Sequence, residues 1–459
     1  MRALTHAKAF DYSARSSLAA LGTIEITDAE PGCARALADE IAARGGQARI
    51  VSTPTPGGTC ILTEALSSTA PADRHHAALK GLLAHSEGGG RTYVLDRFAR
   101  GEIADIGGCA GMCRSVRIER PDCRAYSLSV DGGATLRENA ARVVSALTAP
   151  EDDYSLYADG GWRDVPGAEL SPPTGPTPSG PPPVWLVTGG ARGVTADCAI
   201  ELSRRTGGTF LLLGRSGLDA WPDWLPRETD LKALRGQLAR HSSHSDAPKK
   251  PVEIDRLARR LLASAEIAAT LEAIAQSGAK GVYVQADIGN AADVRRVLSE
   301  AQTVEGRITG FVHGAGVLAD GRAETLGLQD FEKVLDPKVG GLETVLSCLD
   351  TSALTHIAMF SSASAVFGNE GQANYAAAND WLNNVAEQLA RSLPGAQVKS
   401  FCWGPWAGGM VDEALARMFT ERGIGLISRP EGARIFADML LWSPRDQVRF
   451  VVGDEWGVA

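Results

Sequence analysis

Short runs of apolar and β-branched residues alternate with longer amphipathic stretches along the second half of the chain. Such runs predict strands, and the stretches between them predict helices. Seven strands are predicted, over Val184–Thr188, Phe210–Leu213, Val282–Ala286, Gly310–His313, Ile357–Phe360, Val398–Trp403 and Val448–Val452. Because strands that alternate with helices form parallel sheets, the pattern predicts an α/β fold with a doubly wound parallel sheet.

The first half shows the same alternation more faintly. Its predicted strands are Thr23–Ile26, Ala48–Val51, Tyr93–Leu95 and Ala125–Leu128. None of them is followed by a glycine turn suited to a phosphate group. We therefore expect two Rossmann-like subdomains, of which the first is degenerate, braces the second and binds no nucleotide.

A proline-rich stretch, Ser171–Pro183, separates the two halves. It can form neither a helix nor a central strand, so it predicts an extended linker. We divide the chain into a structural subdomain over residues 1–170, a linker over 171–183 and a nucleotide-binding subdomain over 184–459. A helical insert is expected at about 217–280, and the polar stretch from His241 to Lys250 within it is predicted to be mobile.

Composition narrows the classes of function. The chain has 459 residues, 44% of them hydrophobic, which is typical of a soluble protein with more than one domain. A net charge of −9 argues against binding to nucleic acid or to an anionic membrane surface. No apolar run approaches the roughly 20 residues that span a membrane, and the N-terminus lacks a secretory pattern, so we predict a cytoplasmic location. Eight scattered cysteines suit reduced thiols, and the Cys109-x3-Cys113 spacing indicates helix packing rather than a metal site.

A glycine-rich turn, Thr188–Thr195, follows the first strand of the second half and leads into a helix expected to begin near Ala196. Such a turn allows a pyrophosphate to approach a helix N-terminus. The next strand ends at Arg215 with no acidic residue for a ribose 2′-hydroxyl, which favours the 2′-phosphate of NADPH. Asp287 is a candidate for the adenine amino group or for a helix N-cap. His313 is a candidate for the nicotinamide ribose or for a core histidine bonded to the backbone.

Four residues carry the candidate chemistry: Lys338, Ser362, Tyr375 and Asn379. Tyr375 and Asn379 lie four residues apart and share one face of a helix, and Ser362 follows a predicted strand. A phenol can give a proton to a carbonyl oxygen, a hydroxyl can hold that oxygen, and a nearby ammonium makes the phenol more acidic. Each residue alone has a structural interpretation, as a solvated lysine, a strand-end cap, a core aromatic or a surface amide. Together they indicate carbonyl reduction.

These motifs resemble the short-chain dehydrogenase/reductase superfamily, and specifically the ketoreductase domains of polyketide synthases, in which the Lys-Ser-Tyr-Asn order is the same. The chain is particularly similar to the ketoreductases of polyunsaturated fatty acid synthases and of enediyne-type iterative synthases. The segments that carry the resemblance are Thr188–Ala196, Glu253–Ala269, His313–Asp320 and Phe360–Asn379. It departs from the pattern at Thr195, where a glycine is usual, and in its proline-rich joint.

The resemblance implies NADPH-dependent reduction of a carrier-bound β-ketoacyl thioester to the 3-hydroxyacyl thioester, in polyketide or polyunsaturated fatty acid biosynthesis. Tyr375 would donate the proton, Ser362 would hold the ketone oxygen, and Asn379 would position Lys338 or a water. An acyl carrier protein and other synthase domains are the implied partners. The implied cofactor contacts are Thr188, Gly189, Gly190, Arg192, Gly193, Val194, Arg215, Ser216, Asp287, Ile288, His313, Gly314, Ala315, Gly316, Lys338, Tyr375 and Pro405.

The resemblance also implies contacts to the substrate, at Leu318, Asp320, Phe367, Gly408 and Met410. Leu318-Ala-Asp320 is similar to the signature of reductases that give the D-hydroxyl, and Phe367 stands where the L-type has tryptophan, so a D product is expected. The loop 403–410 would cover the nicotinamide, and residues 411–430 would form a lid against the acyl chain.

Two other functions stay open at this point. One is a nucleotide-binding scaffold that has lost activity, which the intact set of four residues disfavours. The other is an epimerase or dehydratase of the extended type. Those enzymes typically use Tyr-x3-Lys, whereas residue 379 is asparagine.

Overall fold

The computed structural model describes residues 1–12, 17–98, 103–176, 180–241, 248, 250–408, 413–421 and 423–454. The strands are β1 (Arg2–Phe10), β2 (Thr23–Thr27), β3 (Gln47–Val51), β4 (Thr59–Leu62), β5 (Arg91–Phe98), β6 (Arg124–Asp131), β7 (Tyr154–Tyr157), β8 (Gly160–Glu169), β9 (Val184–Thr188), β10 (Thr209–Gly214), β11 (Lys280–Gln285), β12 (Gly310–His313), β13 (His356–Ser362), β14 (Gln397–Trp403) and β15 (Arg449–Val452). The helices are α1 (Cys33–Ala43), α2 (Pro71–Ser86), α3 (Cys109–Glu119), α4 (Leu136–Ala146), α5 (Gly193–Thr206), α6 (Leu231–Arg240), α7 (Pro251–Gln276), α8 (Ala291–Glu305), α9 (Leu328–Leu335), α10 (Gly341–Cys348), α11 (Ala363–Phe367), α12 (Ala373–Ser392), α13 (Glu413–Glu421) and α14 (Arg429–Trp442). A π-helical turn, Asp336–Gly340, joins α9 to α10.

All of these strands belong to one sheet of fifteen strands. In the second half the order is β11-β10-β9-β12-β13-β14-β15, and every neighbouring pair is parallel. The strand order reverses between β9 and β12, which is where doubly wound sheets bind ligands. The predicted α/β fold class and its doubly wound parallel sheet are confirmed.

Two antiparallel strands connect the halves of the sheet. β1 pairs with β15 on one side and with β8 on the other, and β8 forms a hairpin with β7. Beyond them the first half continues as a parallel array in the order β7-β6-β5-β4-β2-β3. The two halves of the chain therefore share one continuous sheet.

The sequence pattern missed four strands: β1, β4, β7 and β8. β1 and β8 pair with each other, and both mix exposed with half-buried positions, so neither shows a clear alternation. β8 also contains Pro166 and glycines, which weaken a strand signal. β4 and β7 each have only four residues. Long-range pairing, rather than local periodicity, defines these strands.

A buried guanidinium reinforces the junction between the halves. Arg449 on β15 donates to both carboxylate oxygens of Asp164 on β8, at 2.6 and 2.7 Å, and to Glu387 on α12 at 3.0 Å. The paired Arg449 holds the pKa of Asp164 well below its usual range, against the effect of burial. Three elements are thus tied together by one ionic group, which would be costly to break because a charge would be left unpaired.

Helix α3 of the first half packs directly on α12 of the second half. A side chain at Gly108 would approach the carbonyl oxygen of Ala377 to 2.1 Å, and one at Gly111 would approach that of Ala376 to 2.5 Å. Only glycine allows the two backbones to lie this close. Cys109 and Cys113 are buried on the same helix.

The linker and the insert follow the sequence in outline. Residues 171–176 and 180–183 have no regular structure, and the indole of Trp442 on α14 donates to the carbonyl of Pro176 at 3.2 Å. The insert contains α6 and α7, while most of the stretch from His241 to Lys250 lies outside the described residues. The subdomain boundaries stay predictions. In the part of the chain that the structure describes, no helix is long and apolar enough to cross a membrane.

Candidate active site

A cavity of about 1270 Å³ opens at the carboxyl ends of β9 and β12. Eighteen of the predicted site residues line it: Gly189, Arg192, Gly193, Val194, Arg215, Ser216, Asp287, Ile288, Gly314, Ala315, Gly316, Leu318, Asp320, Lys338, Ser362, Tyr375, Pro405 and Gly408. Five others are not among its lining residues, namely Thr188, Gly190, His313, Phe367 and Asn379. Met410 lies outside the described residues.

The glycine turn forms one end of the cavity. Gly189 has φ +68°, and a side chain there would meet the carbonyl oxygen of Gly314 at 2.9 Å. Gly193, with φ +63°, has open space where a side chain would stand, and it begins α5, three residues before the position expected from the sequence. No side chain of the described residues caps this helix N-terminus. Uncapped N–H groups beside an open backbone surface suit a pyrophosphate, so the residues present fit a dinucleotide.

Thr195, the departure from the usual glycine, packs against Gly314. A side chain at Gly314 would approach Thr195 Cγ2 to 2.4 Å. Gly314, which directly follows β12, therefore permits the close packing that a glycine in the helix usually permits. The substitution leaves the turn intact.

The far end of this groove carries Arg215 and Asp287. Both are exposed at the cavity wall, and no ion pair joins the Arg215 side chain to a described residue. Asp287 accepts the N–H of Gly289 at 3.0 Å, whereas α8 is capped by Asn290, whose side chain accepts two backbone N–H groups. The alternative interpretation of Asp287 as the helix N-cap is therefore wrong.

His313 connects the glycine turn to Lys338 from behind the cavity. Its ring bonds to Thr188 Oγ1 at 2.9 Å and to the backbone carbonyl of Lys338 at 3.1 Å. Since that carbonyl can only accept, Nε2 donates and Nδ1 accepts the threonine hydroxyl. Burial lowers the pKa of His313 to about 3. The ring is thus neutral at physiological pH and acts as a backbone-bonded core residue.

Lys338 lies in the π-helical turn that joins α9 to α10. Its ammonium donates to the carbonyl of Phe360 at 2.9 Å and lies 5.4 Å from the centre of the Tyr375 ring. The residue is 4% exposed, and burial lowers its pKa to about 7. Lys338 can therefore exchange a proton near neutral pH.

Burial raises the pKa of Tyr375 to about 12, although hydrogen bonds with the side chains of Asn379 and Ser362 act in the opposite direction. The charge of Asp320 adds to the rise. The Lys338 ammonium lies over the Tyr375 ring, and its expected effect on the acidity of the phenol stays a prediction. Tyr375 keeps its proton at neutral pH.

The neighbours of Tyr375 fix its position. Ser362 caps α11 and accepts from the N–H of Ser364 at 3.2 Å and from its hydroxyl at 3.0 Å, which leaves the Ser362 O–H free to donate. Asn379 donates to the backbone carbonyl of Tyr375 at 2.8 Å, while its own carbonyl oxygen is buried without a partner among the described residues. Asn374, which sequence reasoning missed, accepts the N–H of Tyr375 at 2.8 Å and donates to Ala319 and Asp330.

The opposite side of the cavity from the glycine turn carries a polar chain that sequence reasoning also missed. Asn369 donates to Gln372 at 3.0 Å, and Gln372 donates to Asp320 at 2.9 Å. Burial raises the pKa of Asp320. Phe367 packs behind this wall beside Ala363 and Phe419 of α13, which belongs to the predicted lid, although residues 411, 412 and 422 of that lid lie outside the described residues.

Residues 183–408 match the family model of the KR domain. The chain is 34% identical to one subunit of the polyunsaturated fatty acid synthase of a Thraustochytrium species over 74% of its length, and 26% identical to the polyketide synthase PksL of Bacillus subtilis over 75%. It spans only 12% and 7% of those two relatives.

Solved structures share the fold over nearly the whole chain. A ketoreductase from the first module of phoslactomycin biosynthesis in Streptomyces sp. HK803 superposes with a TM-score of 0.70 at 21% identity, covering 98% of this chain and 92% of that one. A ketoreductase domain from the bacillaene assembly line gives 0.63 at 21% identity, covering 98% and 96%.

Burial of Lys338 predicts a pH dependence of stability. The pKa of the side chain is about 7 in the folded protein and near its ordinary 10.5 in the unfolded chain, so the unfolded chain binds more protons between these values. The free energy of unfolding therefore gains a rising contribution as pH increases from about 7 to 10. Lys338→Met removes this contribution, so the stability of the variant relative to the native protein is expected to be greater at pH 7 than at pH 10. Urea unfolding at both values measures it; a difference independent of pH would contradict the assignment.

Proposed function

The chain carries a ketoreductase domain of the polyketide synthase family, and we propose that it reduces a β-ketoacyl thioester to the 3-hydroxyacyl thioester with NADPH. The observation that carries the proposal is the convergence of a protonated phenol and a hydroxyl donor on one cavity wall. Tyr375 and Ser362 supply these groups, and the same cavity reaches an uncapped helix N-terminus. NADPH, when bound, supplies the hydride.

Two donors act on the ketone oxygen. Ser362 and Tyr375 donate hydrogen bonds to it and stabilise the negative charge that develops as the carbonyl is reduced, an effect worth about 3 kcal/mol per donor. Tyr375 then transfers its proton to that oxygen, so that the hydroxyl forms. Because burial keeps the phenol protonated, the donor is present at neutral pH.

Lys338 and Asn379 help to reprotonate Tyr375 after it has given its proton to the substrate. Lys338 has a pKa of about 7, so its ammonium can release a proton at the pH at which the phenolate must recover one. The buried, unpartnered carbonyl oxygen of Asn379 is a site at which a water molecule could complete the path. In this proposal the lysine resupplies the phenol.

Arg215 is the residue proposed to select NADPH. The groove from the uncapped N-terminus of α5 reaches its side chain, which no ion pair with a described residue holds. A guanidinium pairs with a phosphate through two parallel hydrogen bonds, which a ribose hydroxyl cannot match. Gly193, Arg192 and Val194 would lie along the pyrophosphate, and Asp287 would face the adenine.

The substrate is proposed to arrive on an acyl carrier protein, with other synthase domains as neighbours. The support is that the matching relatives are long synthases of which this chain spans a small part. Asp320 and Leu318 line the cavity at the positions of the D-type signature, which favours a D-hydroxyl product.

We expect Tyr375→Phe to lower kcat by at least about a hundredfold, because the ring stays in place while the proton donor is lost. Binding of NADPH should change little. Steady-state oxidation of NADPH with a β-ketoacyl thioester measures the first quantity, and fluorescence titration measures the second. Tyr154→Phe, on β7 far from the cavity, is the matched control. An active Tyr375→Phe enzyme would show that another group donates the proton.

Arg215→Gln should weaken NADPH binding by about tenfold or more and leave NADH binding nearly unchanged, since only the 2′-phosphate loses its partner. Titration of both nucleotides gives the two dissociation constants. Arg296→Gln on the exposed face of α8 controls for the loss of one positive charge. Equal losses for both nucleotides would remove Arg215 from the role of selector.

The configuration of the product tests the proposed D-hydroxyl. Reduction of a prochiral β-ketoacyl thioester by the native protein, followed by chiral chromatography, should give mainly the D-3-hydroxyacyl product. An excess of the L product would mean that the Leu318-Ala-Asp320 signature does not transfer to this chain.

A further inference from the structure

Two loops form the side of the cavity opposite the glycine turn. We call them the substrate loops: residues 318–323 follow β12, and residues 368–372 precede α12. Leu318 and Asp320 on the first and Asn369 and Gln372 on the second line the cavity. The charge of Asp320 acts on the Tyr375 phenol, which places this wall beside the reacting group.

The two substrate loops are bonded to each other. Gly321 N–H donates to the carbonyl of Gly371 at 2.9 Å, and Gln372 donates to Asp320 at 2.9 Å. Their relative position therefore sets the shape of the wall that a ketone substrate would meet. Loops of this kind have no fixed position of their own and depend on contacts from outside.

One side chain of the first half holds both loops. Glu119, the last residue of α3, accepts the N–H of Ala323 at 2.8 Å through one carboxylate oxygen and the N–H of Gly371 at 2.9 Å through the other. Ser115, one turn earlier, accepts the N–H of Asn369 at 3.1 Å. Charge-assisted bonds from one carboxylate to two backbone N–H groups form a clamp across the loops.

We propose that Glu119 is a positioning residue that sets the orientation of the ketone substrate and thereby the configuration of the product. It contacts no reacting atom and acts through the substrate loops. Both of these bonds reach the substrate side of the cavity, so its removal should affect substrate orientation rather than nucleotide binding. This inference rests on the proposed ketone reduction.

Glu119→Gln tests the clamp, because the amide keeps the size of the side chain but only one of its two termini can accept an N–H. We expect KM for a β-ketoacyl N-acetylcysteamine thioester to rise at least about fivefold, with a smaller change in kcat. The ratio of the two product configurations should fall at least about threefold. The dissociation constant for NADPH should stay the same.

Glu324→Gln is the matched control. Glu324 accepts a hydrogen bond from Arg120 at 2.8 Å, so it also joins the end of α3 to the segment after the first substrate loop. Its side chain is exposed, and among the described residues it accepts no backbone N–H of either substrate loop. The same substitution there should leave KM and the product ratio unchanged. Ser115→Ala, which removes the bond to Asn369, should change the product ratio in the same direction as Glu119→Gln and serves in its place should that variant fail to fold.

Hydrogen–deuterium exchange gives a readout without turnover. Peptides covering residues 318–323 and 368–372 should exchange faster in Glu119→Gln than in the native protein or in Glu324→Gln. Unchanged exchange, or an unchanged KM and product ratio in a folded variant, would overturn the inference. A similar impairment of kcat, of KM and of NADPH affinity would also overturn it, since it would indicate a general structural role. A native protein that reduces no β-ketoacyl thioester would instead refute the proposed function, while the exchange data would still decide whether the clamp exists.

Discussion

The position of Tyr375 depends on the close packing of α3 against α12. The two backbones can meet only because Gly108 and Gly111 have no side chains at the points where they face the carbonyl groups of Ala377 and Ala376. The N–H of Gly111 donates to Asp380 at 3.2 Å, and burial raises the pKa of that carboxyl group to about 7. A helix fixed along its length in this way can hold a phenol at a defined depth in the cavity.

The same burial determines the electrostatics of the site. Lys338 and His313 are buried and Tyr375 is half-buried, and in each case the neutral form gains. The lysine thereby becomes able to lose its proton at the pH at which the tyrosine keeps its own. A pair with its ordinary pKa values near 10 would not divide the roles of donor and supplier so clearly near neutral pH. Desolvation, more than charge pairing, therefore tunes this site.

The sequence predicted the nucleotide end of the cavity better than the substrate end. The glycine turn and Arg215 follow from local pattern, because each lies next to the end of one predicted strand. The sequence also singled out Lys338, Ser362 and Tyr375, which the structure brings to one cavity. Long-range contacts could not be read in the same way. Thus β1 and β8, Asn374, Gln372 and the clamp at Glu119 emerged only from the structure.

The two ends of the cavity differ in how many distant parts of the chain they need. A pyrophosphate groove needs backbone N–H groups from one turn and one helix, so about eight consecutive residues suffice. A wall against a ketone substrate is built here from two loops separated by roughly fifty residues, and their mutual position is held by α3, more than two hundred residues away in sequence. The first half of the chain supplies none of the four candidate catalytic residues, yet its Glu119 bonds to both loops of this wall. Substitutions on α3 can therefore alter the substrate wall while the hydride and proton donors stay where they are.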